Sequence, residues 1–295
     1  MSKISTTAAM IDSYTNTAIK NYVKSHDEST YFPKEMWDEL TNEMDIFLPI
    51  LSEENHTLSS DFITFIRKIA NEFAALSAIL LTQGCYGIYS ILNFGTAEQK
   101  ELYLEKLLKG QYIGGLGFCE YKHLKGLEDL ETYATKTEQG WRLSGKKAMI
   151  SNSSVADILL VLAKVKEQGK VEKYGLFIVD PKDSDVLIGE QIEKPGLIGL
   201  PLSSVTLKNV LLPENALLGD ELAGDVQFAN IIKNMQLGLS AIALGVAEGA
   251  FNKGIEFAKV RRGFGKRLID VEIHQNKFAD LYNKLCSAEA YFASY

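Results

Sequence analysis

The stretch ILLVLAKVKEQGKVEKYGLFIV, residues 158–179, decides the fold class. Its two runs of large apolar and β-branched residues, 158–165 and 175–179, flank the turn-forming residues 167–169, which is typical of two strands joined by a hairpin. No helical pattern separates the runs, whereas a doubly wound sheet alternates strands with helices. The stretch therefore predicts an antiparallel sheet or barrel in the middle of the chain.

Helical periodicity brackets this β-type region on both sides. Apolar residues recur every three or four positions in 36–47 and 62–76, and a single apolar stripe runs from Phe228 to Phe251. The pattern predicts an α+β protein with three units: an N-terminal helical domain (1–110), a central antiparallel β-barrel or β-sandwich domain (111–220) and a partial C-terminal helical bundle (221–295).

Local signals give the ends of two helices. The serines at 59 and 60 are suited to cap the helix that follows them. Thr96 and Gln99 have the spacing of a capping box, which opens a helix running through Leu108, and Gly110 ends it.

Composition and charge exclude several classes of protein. The 295 residues carry 31 basic and 38 acidic side chains, a net charge of −7, without the basic block that a nucleic-acid-binding domain needs. The cysteines at 85, 119 and 286 form no CxxC pair, which indicates reduced thiols. The first residues lack a secretory signal pattern, so we expect a cytoplasmic protein. From the charge pattern we expect no binding to nucleic acid.

The apolar stretch 73–97 carries no charged residue and is long enough to cross a bilayer. It contains Thr82, Gln83, Ser90 and Asn93, and basic residues flank it at both ends, so neither end is marked as cytoplasmic. We therefore expect a buried core helix and no transmembrane segment.

No motif predicts a metal site or a phosphate loop. The four histidines show no i, i+4 pair, and Cys119 with His123 falls two ligands short of a structural zinc site. Gly115 and Gly117 begin a dinucleotide fingerprint, but Glu120 stands at the third glycine position and no helical pattern follows.

Several short segments, taken in order, resemble acyl-CoA dehydrogenases. They are FGTAEQK (94–100), GKKAMISN (145–152), LLP (211–213), RRGFG (261–265) and KFADL (277–281). The resemblance implies an FAD enzyme of fatty acid metabolism that removes hydrogens from the α and β carbons of an acyl thioester. In that chemistry a carboxylate takes the α-proton and the flavin accepts hydride.

The resemblance also implies cofactor contacts in the β-domain, at residues listed here: Phe118, Cys119, Glu120, Met149, Ile150 and Ser151. Cys119 stands where the family usually has Thr, and Met149 stands where it has Trp. Residues 121–126 replace the family's glycine-rich loop, so we expect FAD to be bound weakly or lost. From the residues alone, Cys119 also suits a small buried hydrophobe and Ser151 a plain strand residue.

Further contacts follow from the C-terminal region. Arg261 and Phe264 match family residues that reach the FAD of a neighbouring subunit, which implies a homo- or hetero-oligomer. Gln275 lies one turn beyond Glu272, which occupies the position of the family's glutamine, and is expected to substitute for it. A solvated helix-end charge at Arg261 and a core position for Phe264 stay open as simpler interpretations.

No residue of the sequence is evident as the catalytic base. The family carries its glutamate either beyond residue 295 or at the position of Met235, followed by Arg where this chain has Gln236. Met235 and Gln236 are therefore expected at the substrate without supplying a carboxylate, and the chain is expected to be a truncated or divergent member.

Two hypotheses follow from these features. The first is a dehydrogenase acting on acyl-CoA or an acyl carrier protein, with an electron-accepting flavoprotein or another acceptor as its partner. The second is a non-catalytic homologue that serves as a scaffold or partner subunit.

Overall fold

The computed structural model describes residues 3–26, 31–52, 57–122, 126–165, 173–263 and 265–294. The predicted turn at 167–169 lies outside these residues. The N-terminal helices are α1 (Lys3–Tyr14), α2 (Lys20–His26), α3 (Lys34–Asp38), α4 (Ser60–Ala70), α5 (Ala74–Thr82), α6 (Ser90–Phe94) and α7 (Ala97–Leu108). Three π-helical segments, Thr15–Ile19, Glu39–Glu43 and Gln83–Tyr89, follow α1, α3 and α5.

The predicted ends of two helices are confirmed. The Ser59 hydroxyl accepts a hydrogen bond from the Asp61 N–H at 3.2 Å and caps α4. Thr96 and Gln99 form the reciprocal capping box of α7, in which each side chain accepts from the backbone of the other. Gly110 ends this region with a φ of +66°, a conformation that favours glycine.

The uncharged stretch forms a continuous helix over Ala74–Phe94, built from α5, a π-helical segment and α6. Among the described residues, it is the one helix long and apolar enough to cross a membrane, and 94% of its most apolar window is buried inside the protein. This matches the predicted core helix, packed against α4, α8 and the start of the sheet.

The middle domain is a seven-stranded curled sheet that forms a half-barrel. Its strands are β1 (Gly114–Gly117), β2 (Tyr133–Thr137), β3 (Gly140–Ser151), β4 (Ile158–Val165), β5 (Lys173–Val179), β6 (Val186–Ile188) and β7 (Leu202–Leu212). The helix–sheet–helix order is confirmed, but the sheet is mixed rather than purely antiparallel. The strand pairs β1–β4 and β2–β4 are parallel, whereas β2–β3, β3–β7, β4–β5 and β6–β7 are antiparallel.

Strand β4 is buried on both faces. Ile158, Leu160 and Leu162 belong to the core shared with the helices, whereas Leu159 and Val161 belong to the core inside the half-barrel. β5 divides its side chains in the same way. These strands are therefore apolar without alternation, as expected for strands covered on both sides.

The C-terminal region consists of α8 (Gly224–Val260), a two-stranded hairpin of β8 (Arg262–Gly263) and β9 (Lys266–Arg267), and α9 (Glu272–Ala293). At 37 residues, α8 is about 55 Å long. A Cβ added at Gly245 would lie 2.2 Å from the Arg67 carbonyl oxygen, and one at Gly249 would lie 2.1 Å from that of Asn71. The two glycines therefore allow α8 to approach the end of α4 closely.

Helix α9 lies on the outside of α8. Within α9, all of which the structure describes, no residue is buried. The ring of Phe251 contacts those of Phe278 and Tyr282 at centroid distances of 6.1 and 5.9 Å. In addition, the Arg67 guanidinium on α4 pairs with Glu248 on α8 and with Glu289 on α9.

Two glutamine side chains connect the helical domain to the two ends of the β-domain. Gln83, fully buried, donates to the carbonyls of Leu107 and Tyr112 and accepts from the Gly114 N–H, where β1 begins. Gln99 donates to the carbonyls of two residues that follow β7, Asn215 and Leu217, and accepts from the Gly219 N–H.

Candidate functional site

The structure places segment 118–120, which follows β1, beside segment 149–151, the end of β3. The Ala148 N–H donates to the Cys119 carbonyl at 2.8 Å, immediately before segment 149–151. The close packing of β1 on β3 depends on small residues, since a Cβ at Gly117 would lie 3.0 Å from Ile150 Cδ1. The two predicted sets of β-domain residues therefore lie next to each other in the fold.

A β-bulge sets the direction of the side chains in segment 149–151. Lys147 pairs with Val205, but Ile150 pairs with Ser203, so β3 has one more residue than β7 in this interval. As a result Met149 is 58% exposed while Ile150 is buried in the half-barrel core. Ser151, half-buried, ends the strand.

Segment 118–120 also contributes to a buried ion pair, which Glu120 forms with Lys147 of β3. Their side chains are 2% and 0% exposed, and Lys147 Nζ donates to Glu120 Oε1 at 2.7 Å. The carboxylate also accepts from the backbone N–H groups of Glu131 and Thr132 at 2.7 and 3.0 Å. The Glu120 carboxylate is thus bound within the protein, and contact of this residue with a cofactor stays a prediction.

Burial and pairing act in opposition on these two groups. Burial tends to raise the pKa of Glu120, but Lys147 and the backbone donors outweigh it and hold that pKa below its ordinary value. Burial lowers the pKa of Lys147 to about 8, although Glu120 opposes this shift. Near neutral pH both groups are therefore charged.

Phe118 joins the site to the helices. Its ring lies 5.0 Å from that of Phe228 on α8 and 6.5 Å from that of Tyr86 in the π-helical segment Gln83–Tyr89, centroid to centroid. The adjacent Cys119 is half-buried, and burial raises the pKa of its thiol, which Lys147 only partly opposes. The neutral thiol is therefore favoured over the thiolate at Cys119.

The C-terminal candidates lie elsewhere in the molecule. Arg261 is exposed at the end of α8, and its carbonyl accepts from the Leu268 N–H at 2.9 Å. Gln275, also exposed, donates to the Ile269 carbonyl at 3.0 Å. Phe264 falls outside the described residues.

The length of α8 separates these candidates from the β-domain site. Phe228, near the start of the helix, contacts Phe118, whereas Arg261 follows 33 residues later, about 50 Å along the helix axis. One chain therefore does not bring the two predicted groups of residues together.

The two positions on α8 expected at the substrate differ in exposure. Met235 is 8% exposed and belongs to the core shared with the helices, whereas Gln236 is exposed. The carboxylates of α8 are those of Asp225, Glu248 and Glu256, and the nearest lies ten residues, or about 15 Å, from Met235. No residue of α8 thus supplies a carboxylate beside these two positions.

The ion pair of Lys147 and the contacts that Gln83 and Gln99 make between the domains were not predicted from the sequence, although Gln99 was predicted in its capping box. For Lys147, the signal was its position in the strand. Side chains of a strand point alternately to its two faces, and this lysine falls on the face directed to the sheet interior. For Gln83, the signal was an amide in the middle of an otherwise apolar helix, because a buried amide requires hydrogen-bond partners. Among the described residues, no three His, Cys, Asp or Glu side chains are grouped as a metal ion would need.

Three models of one protein family match the chain in order. They are the N-terminal domain of acyl-CoA dehydrogenase over residues 4–111, the middle domain over 115–210 and the C-terminal domain over 226–294.

Individual relatives agree with these matches. An acyl-CoA dehydrogenase of Bacillus subtilis is 31% identical over 75% of this chain and 58% of its own length. Butyryl-CoA dehydrogenase from Megasphaera elsdenii shares the fold, with a TM-score of 0.89 and 24% identity over 100% of this chain and 78% of that one. The FAD complex of PigA also shares the fold, with a TM-score of 0.86 and 21% identity over 99% of this chain and 77% of that one. The chain spans 48% to 63% of the length of the first curated relatives that it matches.

Proposed function

The chain belongs to the acyl-CoA dehydrogenase family, and on that basis we propose that it forms an FAD-dependent oxidoreductase that dehydrogenates an acyl thioester between its α and β carbons. One observation supports this proposal above the others. Segment 118–120 and segment 149–151, which the family resemblance assigns to the flavin, lie side by side and are joined by the 2.8 Å hydrogen bond between Ala148 and Cys119.

The residues of this site fit a flat ring with polar edges. Ser151 supplies a hydroxyl, Cys119 supplies a thiol, and the bulge exposes the apolar side chain of Met149. Apolar surface beside a few convergent polar groups is the usual lining of a cofactor site. A thiol is a weaker donor than the hydroxyl usual in the family, so we expect FAD to bind less tightly than with Thr at position 119.

Four side chains have a defined role in this proposal: those of Cys119, Met149, Ser151 and Gln236. FAD, when bound, supplies the acceptor for the hydride of the substrate. Ser151 and Cys119 hold its polar edge, and Met149 covers an apolar face that an indole covers in the family. Gln236 lies on the exposed side of α8 and is the candidate to orient the thioester, whereas the buried Met235 borders the core.

A second chain completes the cofactor site. Because about 50 Å of helix separates Arg261 from the β-domain site, the contacts expected of Arg261, Phe264 and Gln275 would be made to the cofactor of a neighbouring subunit. The protein is therefore proposed to work as an oligomer, with the hairpin between α8 and α9 contributing to the site of its neighbour.

The substrate carrier and the partners follow the same proposal. The acyl group is carried by CoA or by an acyl carrier protein, and an electron-accepting flavoprotein or another acceptor removes the electrons. The proposed place of action is the cytoplasm, in fatty acid metabolism.

The absence of a carboxylate beside Met235 on α8 favours a second candidate function. Without a base at this position, the chain would keep the fold as a non-catalytic scaffold or partner subunit. Residues 121–126, which differ from the family's glycine-rich loop, also favour this alternative.

The proposal is tested by titrating the protein with FAD and measuring binding from the quenching of flavin fluorescence. We expect saturable binding that Ser151→Ala weakens, while Ser154→Ala, at an exposed position three residues away, leaves it unchanged. Anaerobic bleaching of the bound flavin by acyl-CoA or by an acylated acyl carrier protein identifies the carrier and supports the dehydrogenase. Binding without bleaching by either favours the scaffold, and no FAD binding contradicts the proposed oxidoreductase.

A further inference from the structure

The Glu120–Lys147 pair connects three parts of the β-domain at one point. Glu120 belongs to segment 118–120, Lys147 lies on β3 two residues before Met149, and the backbone donors of Glu131 and Thr132 lie just before β2. Lys147 Nζ also lies 3.5 Å from the Phe118 carbonyl oxygen. The two ionised groups thus hold together the segments that carry the candidate cofactor residues.

Stability alone is a weak reason for this arrangement. Removing two charges from water costs free energy that their attraction recovers only with good geometry, so apolar replacements of buried ion pairs are often neutral or stabilising. An ion pair with extra hydrogen bonds, however, fixes relative position more sharply than apolar contact does, because it is directional. The geometry therefore points to a positional role.

We propose that Glu120 and Lys147 are positioning residues for the flavin site, which hold segment 118–120 in register with segment 149–151. This inference rests on the proposed function. It assigns the pair no contact with the cofactor: the pair acts through Cys119 and Ser151, whose separation it sets.

Charge and hydrogen bonding are tested with Glu120→Gln, Lys147→Met and Lys147→Arg. We expect Glu120→Gln and Lys147→Met to weaken FAD binding about tenfold, the equivalent of one or two lost hydrogen bonds. Lys147→Arg keeps the charge and should retain most of the affinity.

The matched control is Trp141→Leu. Trp141 is buried in the half-barrel core on the same strand, six residues or about 20 Å from Lys147. This variant should lower the melting temperature of the protein while changing the FAD affinity less than about twofold.

A pH series separates positioning from general stability. Among the residues that the structure describes, the ionisable groups that face Lys147 are Glu120 and Cys119, since the Glu131 carboxylate is directed to Lys122. With the pKa of Lys147 at about 8, its charge is lost over a range where Glu120 stays ionised. FAD affinity of the wild type should therefore fall between pH 7 and about pH 9.5, whereas that of Lys147→Arg should stay level.

The outcomes distinguish this inference from the proposed function. If the wild type binds FAD and Glu120→Gln and Lys147→Met bind it equally well, or if Trp141→Leu weakens binding as much as they do, the positioning role is wrong and the proposed function stands. If the wild type binds no FAD, the proposed function fails, and amide hydrogen exchange decides the positional role. If the amides of segments 118–120 and 149–151 exchange faster in Lys147→Met than in Trp141→Leu, the positional role is supported. Equal exchange rates in the two variants would overturn it.

Discussion

Gln83 Oε1 accepts a hydrogen bond of 2.8 Å from the Gly114 N–H, so the side chain of a core helix holds the first residue of the sheet. The amide nitrogen of Gln83 donates to the carbonyls of Leu107 and Tyr112 at 2.8 and 2.9 Å. Gln83 begins a π-helical segment, and such segments occur frequently at functional sites. This one side chain satisfies three backbone groups where the chain passes from helices to sheet.

Replacing Gln83 should therefore destabilise the whole protein. Gln83→Met keeps the length of the side chain but leaves the Gly114 N–H and two carbonyls without this partner, at a cost of about 3 kcal/mol in the free energy of unfolding. Urea denaturation followed by circular dichroism measures the change. Gln139→Met, at an exposed position, is the control and should change the free energy by less than about 0.5 kcal/mol. Equal stability of the two variants would contradict this role.

Two glycines of α8 should respond oppositely to alanine. At Gly249 a Cβ would lie 2.1 Å from the Asn71 carbonyl oxygen, so Gly249→Ala should force α8 away from α4 and cost about 2 kcal/mol. At Gly254 a Cβ would lie 3.6 Å from Phe278 Cε1, an ordinary contact, and Gly254→Ala should raise stability by up to about 1 kcal/mol through helix propensity. Thermal denaturation of both variants measures the contrast. A stabilised Gly249→Ala would show that α8 does not pack as described.

Arg67 should hold α9 in place. Its guanidinium, only 19% exposed, pairs with Glu248 and Glu289, and Glu248 holds its pKa above the ordinary value although burial opposes the shift. Arg67→Met removes both pairs, and we expect a loss of about 2 kcal/mol, with faster amide exchange in α9 than in α4.

Lys34→Met is the control for Arg67→Met. It removes the exposed pair that Lys34 forms with Asp38, and should cost less than about 0.5 kcal/mol. Protection of α9 that is unchanged in Arg67→Met would show that the aromatic contacts of Phe251 suffice to hold the helix.

Lys147 should give stability a recognisable pH dependence. Its pKa in the folded protein, about 8, lies below the ordinary 10.5, so the unfolded chain binds more protons between these values. The contribution of Lys147 to the free energy of unfolding therefore rises with pH from about 8 to about 10.5, the opposite of its expected effect on FAD affinity. The measurement is the difference between wild type and Lys147→Met in urea denaturation across this range. A difference independent of pH would mean that the folded protein leaves the pKa of Lys147 unshifted.

Much of the architecture could be predicted because single elements carry clear patterns. The capping box of Thr96 and Gln99 and the apolar stripe of α8 are local signals, and both are confirmed. The parallel pairing of β1 with β4 was missed because it joins strands that are distant in sequence, which hairpin signals do not reveal. The doubly buried pattern of β4 gave a hint of it, since strands covered on both faces are typical of parallel sheets.

The candidate site could be predicted less completely. The family resemblance located segment 118–120 and segment 149–151, which the structure brings together. It did not show that the Glu120 carboxylate is bound by Lys147, because a tertiary ion pair leaves no periodic signal in the sequence. Nor could spacing alone show that Arg261 lies a full helix length from Phe228, since that distance depends on α8 continuing without a break.

The unbroken length of α8 has a genetic consequence under the proposed oligomer. A protein altered at Ser151 and one altered at Arg261 would each be defective when expressed alone, because every site in the oligomer would lack one of the two residues. Co-expressed, the two alleles would complement, because some sites would draw Ser151 from one parent and Arg261 from the other. Such complementation in cells would show that neighbouring subunits share the site, without purification of the protein.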